Sequence, residues 1–268
     1  MKLDKLSNGL VATVLAAAIT SAAASYIVLC YSLPTVGALP ASVERIARDY
    51  LTKNPEILVQ MTTELEKRQA FEQQHQAARR QQKTIFENAD AIFRSPVANV
   101  AGNPNGDVSV VEFFDYNCGY CRRALSDVVK LVNEDGKVRL VLKELPIFGD
   151  DSVAAAKLAL ASNKQGKYFQ MHQKLLSEHG AANEAKALQV AKELGLDVDK
   201  LKKDAEDPDI KNALDEAKGL AHKLQGAPLS TPYYVIGDQV LDAVSDRFFD
   251  ELKAVVAEVR RRGCAGPC

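Results

Sequence analysis

The sequence predicts an α/β domain that carries an all-helical insertion and is preceded by a helical arm and an N-terminal membrane anchor. Three observations carry this. An uncharged run of 25 residues, Gly9 to Leu33, follows Lys2 and Lys5. A β-branched and aromatic run, Val108 to Phe114 (VSVVEFF), leads into a helical pattern and then a second strand pattern, Val138 to Leu142. A long Ala-, Leu- and Lys-rich stretch over 150–225 then precedes two short strands and a closing helix. With 47% apolar and 26% charged residues, the composition excludes wholesale disorder, collagen and disulfide-dense miniproteins. Lys and Arg (34) balance Asp and Glu (35), which leaves no broad positive field and excludes nucleic acid as a partner.

The run from Gly9 to Leu33 is long enough to cross about 30 Å of hydrocarbon as a helix. A cleaved signal peptide is the alternative, since Val36-Gly37-Ala38 offers small residues for cleavage. Within the run, Cys30 follows the bulky Leu29 and reads as a lipid-facing or packing thiol rather than a lipidation site. Basic residues precede the run, so the bulk of the chain is expected outside the cytoplasm, where disulfide chemistry is permitted. The expected division is an anchor or signal peptide over 1–38, a helical arm over 39–95 and an α/β domain over 96–268 with its insertion at about 150–226.

In the arm, Val43, Ile46, Ala47, Tyr50 and Leu51 mark one face of a short helix, and Asn54-Pro55-Glu56 starts another. Glu66 to Lys83 is helix-forming but offers a core little beyond Phe71 and three alanines, so it reads as a solvated stalk. Phe71, Ala78, Ile85 and Ile92 recur every seven residues, a thin seam for packing against a second copy. Ser95-Pro96 is expected to end the helix, with a turn at Gly102 to Gly106. The run Val108 to Phe114 reads as a strand buried on both faces. Cys118 to Asn133 is helical, Asp135-Gly136 turns, and Val138 to Leu142 is a strand. About four helices follow, broken near Gly166, Gly180, Gly195 and Pro208. Tyr233 to Ile236 and Gln239 to Leu241 form a hairpin around Gly237-Asp238, and Phe248 to Arg262 closes the chain. This order is that of a thioredoxin fold with a lid inserted in its middle.

Cys118-Gly119-Tyr120-Cys121 falls where the buried strand gives way to a helix. Unpaired N–H groups and the helix dipole favour a thiolate there, which makes Cys118 the nucleophile and Cys121, one turn on, the resolving thiol. A tetrathiolate zinc site would need Cys264 and Cys268 to reach Cys118 from beyond the last helix. Those two residues read instead as a terminal disulfide, with a second redox pair or a soft-metal site as alternatives. Thr231-Pro232 stands immediately before a strand, where a cis proline would make a sharp entry and present Thr231 backbone groups to an extended substrate. An ordinary trans proline starting an edge strand is the alternative. Glu112, on the buried strand, is costly there without a role and is a candidate to exchange a proton with Cys121, unless it points outward at a sheet edge. His172 lies in an amphipathic helix of the insertion and reads as a packed or partly exposed side chain.

The run Val111 to Ala124 (VEFFDYNCGYCRRA), with Thr231-Pro232 leading into Tyr-Val-Ile-Gly-Asp, resembles the DsbA-like thiol-disulfide oxidoreductases of bacterial envelopes over about residues 96–262. The resemblance implies a periplasmic enzyme of thioredoxin fold, with Cys118 as nucleophile, Cys121 resolving, Pro232 cis and Glu112 the buried acid. It implies exported proteins with cysteines as substrates, a membrane partner that recycles the dithiol, and no cofactor or metal. The helices from Val43 to Phe93 are similar to the N-terminal segment of the ScsC-like and Com1-like branches, where such helices mediate homo-oligomers. Gly119-Tyr120 replaces the Pro-His of strongly oxidising members, and Thr231 replaces their Val, a combination similar to disulfide isomerases such as DsbC. The expected direction is therefore isomerase or reductase. A DsbA-type oxidase, a chaperone-like module and a copper-handling protein are the alternatives.

Overall fold

The computed structural model describes residues 41–241 and 244–263 in two compact units, one ending at Glu72 and the other beginning at Gln73. The expected anchor over 9–33, Cys30, and Cys264 with Cys268 lie outside the described residues. Among the described residues no helix is long and apolar enough to cross a membrane.

The first unit holds α1 (Ala41–Lys53) and the start of α2 (Glu56–Glu87). Pro55 stands where the missing N–H does no harm, as the sequence indicates. No residue of this unit is buried, and Val43, Ile46 and Tyr50 lie exposed on α1 at spacings of three and four.

In the second unit, α2 runs to Glu87 and the short α3 (Ala89–Phe93) follows. The break falls at Asn88, whose side chain donates back to the Thr84 carbonyl at 2.8 Å, ahead of the expected break at Ser95-Pro96. Ile85 and Ile92 are 1% and 0% exposed, packed with Val111, Phe113 and Val235. The sevenfold spacing thus loses its last two positions to the domain core, and no seam with a second copy can run past Ala78.

Five strands form one sheet in the order β1 (Asn99–Gly102), β3 (Val138–Glu144), β2 (Val108–Phe114), β4 (Tyr233–Ile236), β5 (Gln239–Leu241). β2 and β3 are parallel and the other pairs antiparallel. The crossover between these two parallel strands is α4 (Gly119–Asp135), which ends at Gly136 in the left-handed conformation (φ 65°). β1 is missing from the sequence reading, which saw only the turn after it. Asn99-Val100-Ala101-Gly102 is short and weakly apolar, and it is held as a strand by pairing with residues 139–142 of β3 rather than by its own propensity. At the turn, a Cβ on Gly106 would sit 2.4 Å from the Lys137 carbonyl oxygen, so only glycine fits.

β2 is buried along its whole length. On one side of the sheet Val108, Val110 and Phe114 pack with residues of α4 and α10 (Phe248–Arg262); on the other, Val111 and Phe113 pack with the end of α2, α3 and α9 (Pro208–Gln225). The insertion comprises five helices rather than about four: α5 (Asp150–Ala161), α6 (Tyr168–Ser177), α7 (Glu184–Glu193), α8 (Val198–Asp204) and α9, with a 3₁₀ turn at Ser162–Gln165. Asp197 caps the extra helix by accepting from the Lys200 N–H, a short polar signal hidden inside a Lys-rich run.

Candidate active site

β2 stops at Phe114, and Cys118 caps α4 four residues later. The turn between them is built by Asp115. Its buried carboxylate accepts from the N–H groups of Asn117 (2.7 Å), Ile147 (2.7 Å) and Phe148 (3.0 Å) and from the Ser152 hydroxyl (2.8 Å), which together offset the cost of its burial. The Asn117 amide donates to Ser152 Oγ and to the Ala182 carbonyl, both at 2.9 Å, and its oxygen accepts from the Ala182 N–H at 2.7 Å. Arg122 donates to the Tyr116 carbonyl (3.0 Å), to the Gly180 carbonyl (3.0 Å) and to the Glu178 carbonyl. The residues flanking the dithiol are thereby fastened to the insertion.

Cys118 is 3% exposed, and its sulfur accepts from the Cys121 N–H at 3.5 Å. As a thiol it donates to the Thr231 carbonyl at 3.1 Å. The Thr231 hydroxyl is buried with no other partner and is placed to donate once that sulfur is charged. Donation from the Cys121 thiol brings the Cys118 pKa down to about 6, against burial and with help from Thr231 and from the amides of Cys121 and Tyr120. Cys121 moves the other way: burial above all, then its bond to Cys118 and the charge of Glu112, push its pKa far up. Both thiols are free.

Glu112 is 2% exposed on β2, a central strand, so the edge placement is excluded. Burial raises its pKa to about 7, against the Tyr234 hydroxyl donating to it at 2.9 Å, and with a further push from the charge of Cys118. The proton on this carboxyl is therefore exchangeable near neutrality. The Thr231-Pro232 peptide is cis, as is Ala227-Pro228, which the sequence reading did not single out.

An open groove of about 880 Å³ runs across the dithiol between Tyr120, Arg123, Phe148 and Leu229, with Cys118 and Thr231 in its floor. Tyr120 and Phe148 are each 55% exposed at its rim.

Cys118, Cys121, Thr231, Pro232 and Glu112, the site residues legible in the sequence, meet across 120 positions of chain. Cys264 and Cys268 lie outside the described residues. Among the described residues no group of three His, Cys, Asp or Glu side chains gathers as a metal site. His172 is buried against Phe114 and Tyr116, and desolvation lowers its pKa to about 3, so it is a packing residue held neutral. The sequence reading missed Asp115, Asn117, Arg122 and Tyr234. It also missed Glu144, a buried carboxyl that accepts from the hydroxyls of Tyr116 (2.8 Å) and Tyr168 (3.0 Å) and whose pKa burial pushes well up. Only Asp115 left a local signal, the Asp-x-Asn turn in which its carboxylate meets the N–H two residues on.

A sheet of this strand order with a helical insertion after the third strand is a thioredoxin fold, and with its Cys118–Cys121 dithiol at the strand-to-helix junction the protein falls in the class of thioredoxin-fold dithiol proteins. Residues 94–257 match the family model described as Thioredoxin, and the chain belongs to that family, in its DsbA-like and ScsC-like branch. Residues 41–72 match the copper resistance protein ScsC N-terminal domain. A thioredoxin-like oxidoreductase from Silicibacter pomeroyi is 43% identical, over 65% of this chain and 98% of its own, with a TM-score of 0.61. The thiol-disulfide exchange protein alpha-DsbA2 from Wolbachia pipientis is 30% identical, over 68% and 97%, with a TM-score of 0.63. A linker-deletion mutant of Proteus mirabilis ScsC is 26% identical, over 85% and 100%, with a TM-score of 0.63. In sequence, the chain is 34% identical to the Na(+)/H(+) antiporter NhaA 1 of Salinispora arenicola over 39% of its own length, but it spans only 16% of that antiporter. The probable disulfide bond formation protein D of Bacillus cereus is 29% identical over 63% of this chain and 82% of its own.

Proposed function

We propose that the protein exchanges disulfides in exported proteins through Cys118 and Cys121 and acts in the periplasm as an isomerase or reductase. The observation that carries this is the split between two neighbouring thiols, one brought down to about 6 and open to a groove, the other buried and pushed up. The Cys118 thiolate attacks one sulfur of a substrate disulfide. A Cys118–substrate bond forms and the other substrate sulfur leaves as a thiolate. For isomerisation that thiolate, or another in the same client, attacks the mixed disulfide and regenerates Cys118. For reduction, Cys121 gives its proton to the Glu112 carboxylate and attacks Cys118, releasing the client with both its sulfurs reduced and leaving Cys118–Cys121 oxidised. A membrane partner then reduces the pair.

Gly119-Tyr120 and Thr231 support the isomerase direction. The homo-oligomer through the arm (39–95) is supported by the exposed Val43, Ile46 and Tyr50 of α1 and by the ScsC match over 41–72. The periplasmic placement is supported by a periplasmic thioredoxin-like protein of Salmonella enterica serovar Typhimurium, 25% identical, and a tether over 9–33 completes the reading. One observation favours a second reading: a Cys118 pKa of about 6 stabilises the reduced pair, which makes it a better oxidant.

The deciding experiment is reactivation of a scrambled-disulfide protein in glutathione buffer beside Cys118→Ala. Recovery above the variant establishes the isomerase. No recovery, with a reduced substrate still being oxidised, makes the protein a disulfide oxidase.

A further inference from the structure

The groove across the dithiol is apolar and nearly uncharged except at one point. Ile147, Phe148 and Leu229 line one part of it, Asn117, Ser230 and Thr231 give it polar but neutral groups, and no acidic residue reaches it. Arg123 is its one lining cation. Its guanidinium lies over the Tyr120 ring, 4.2 Å from the centroid, at the rim of the groove. It is exposed, and it ion-pairs with no carboxylate among the described residues. By contrast, its neighbour Arg122 is spent on three carbonyls, and Arg260 and Arg262 hold carboxylates of their own. Its place over the Tyr120 ring restrains the Arg123 guanidinium while leaving its N–H donors unspent on any carboxylate among the described residues.

We propose that Arg123 is a specificity-determining residue: the groove takes an extended, disulfide-bonded peptide segment that carries an acidic side chain within two residues of the reacting cysteine. The inference rests on the dithiol reading above and names its substrate class. An extended strand advances about 3.3 to 3.6 Å per residue, so a carboxylate one or two positions from the cysteine sits one side chain's length from a helix residue that follows the attacking sulfur by little more than one turn. The same charge complementarity rejects a lysine at that position. The thiolate of Cys118 acts in the opposite sense, since it repels an incoming acid, and the Arg123 guanidinium lining the same groove offsets that cost for acidic clients.

The test uses the reduced full chain and three synthetic peptides that differ only beside one cysteine, carrying Asp, Ser or Lys there, with that cysteine blocked as a 2-pyridyl disulfide. Cys118 attacks the peptide sulfur, pyridine-2-thione leaves and is read by absorbance, and Cys121 then releases the peptide thiol as the enzyme pair is oxidised. Each rate is divided by that of the Ser peptide on the same variant, which cancels changes in thiolate content. The expected Asp-to-Lys ratio is about tenfold at low ionic strength, falling toward parity as the screening length shrinks to about 3 Å near 1 M salt. Arg123→Gln should bring the ratio to about one, and Arg123→Glu should invert it. An equal rate on Asp and Lys peptides in the native protein, or a preference that survives in Arg123→Gln, overturns the proposal while leaving the dithiol chemistry standing. Loss of thione release from all three peptides in the native protein removes the dithiol reading itself, and this proposal with it.

Discussion

If the site is wired as its geometry indicates, Cys118 titrates near pH 6 and Cys121→Ala raises that value. The donation from Cys121 is the largest influence holding Cys118 down, so its removal outweighs the smaller contributions from Thr231 and the two amides. At pH 7 a thiol of pKa about 6 is about 90% thiolate, against about 1% for one at the ordinary value of 9.0. The gain is not the full 90-fold. A less basic sulfur is a weaker nucleophile, and with a Brønsted coefficient of about 0.45 a drop of three pKa steps loses about 20-fold. The net advantage in attack at pH 7 is about fourfold. The larger consequence is for Cys118 as a leaving group when Cys121 attacks it. The assay is thiolate absorbance with iodoacetamide alkylation across pH 4 to 10, on the native protein and on Cys121→Ala. A native midpoint above about 8, or a midpoint that falls in the variant, would refute the hydrogen-bond account of the site.

The other expectations concern the core and the buried acid. Glu112→Ala should slow resolution of a trapped Cys118 mixed disulfide by about 10²-fold and abolish the native rise of that rate with pH through about 7, as read by quenched-flow separation of the intermediate. Glu112→Gln should be the more stable protein above pH 7. A carboxyl whose pKa rises from 4.5 to about 7 on folding favours the folded state below 4.5 and loses that contribution as pH rises through 7, a ceiling of about 3 kcal/mol by denaturant titration. His172 acts in the opposite sense: held neutral to about pH 3, it should cost stability as pH falls from 6.5, and His172→Phe should flatten the acid limb of the stability profile. Ile92→Ala should cost about 2 to 5 kcal/mol in urea, as befits a fully buried side chain, whereas Phe71→Ala should cost the second unit far less.

The dithiol, the cis proline and the buried acid were legible because each breaks a local rule. Cysteines sit at a strand-to-helix junction, a proline precedes a strand, and an acid interrupts VSVVEFF. What stayed hidden obeys local rules and acquires meaning only by contact. Asn117 and Arg122 look like ordinary polar residues until residues 178 to 182 fold back over them. Glu144 ends a strand where an acid is unremarkable, and only Tyr116 and Tyr168 reveal that it is enclosed. β1 owes its conformation to its pairing with β3, and Ile85 and Ile92 suit a coiled-coil seam by spacing yet are claimed by the sheet.

The contact from Cys118 ends on the carbonyl of Thr231, a main-chain atom. A main-chain acceptor beside the reacting sulfur is a group that any extended polypeptide can match, so it asks of a client only that the cysteine lie in a segment slack enough to straighten. Choice among such segments then falls to the side chains around the groove, Arg123 among them, so slackness and sequence are read at different places.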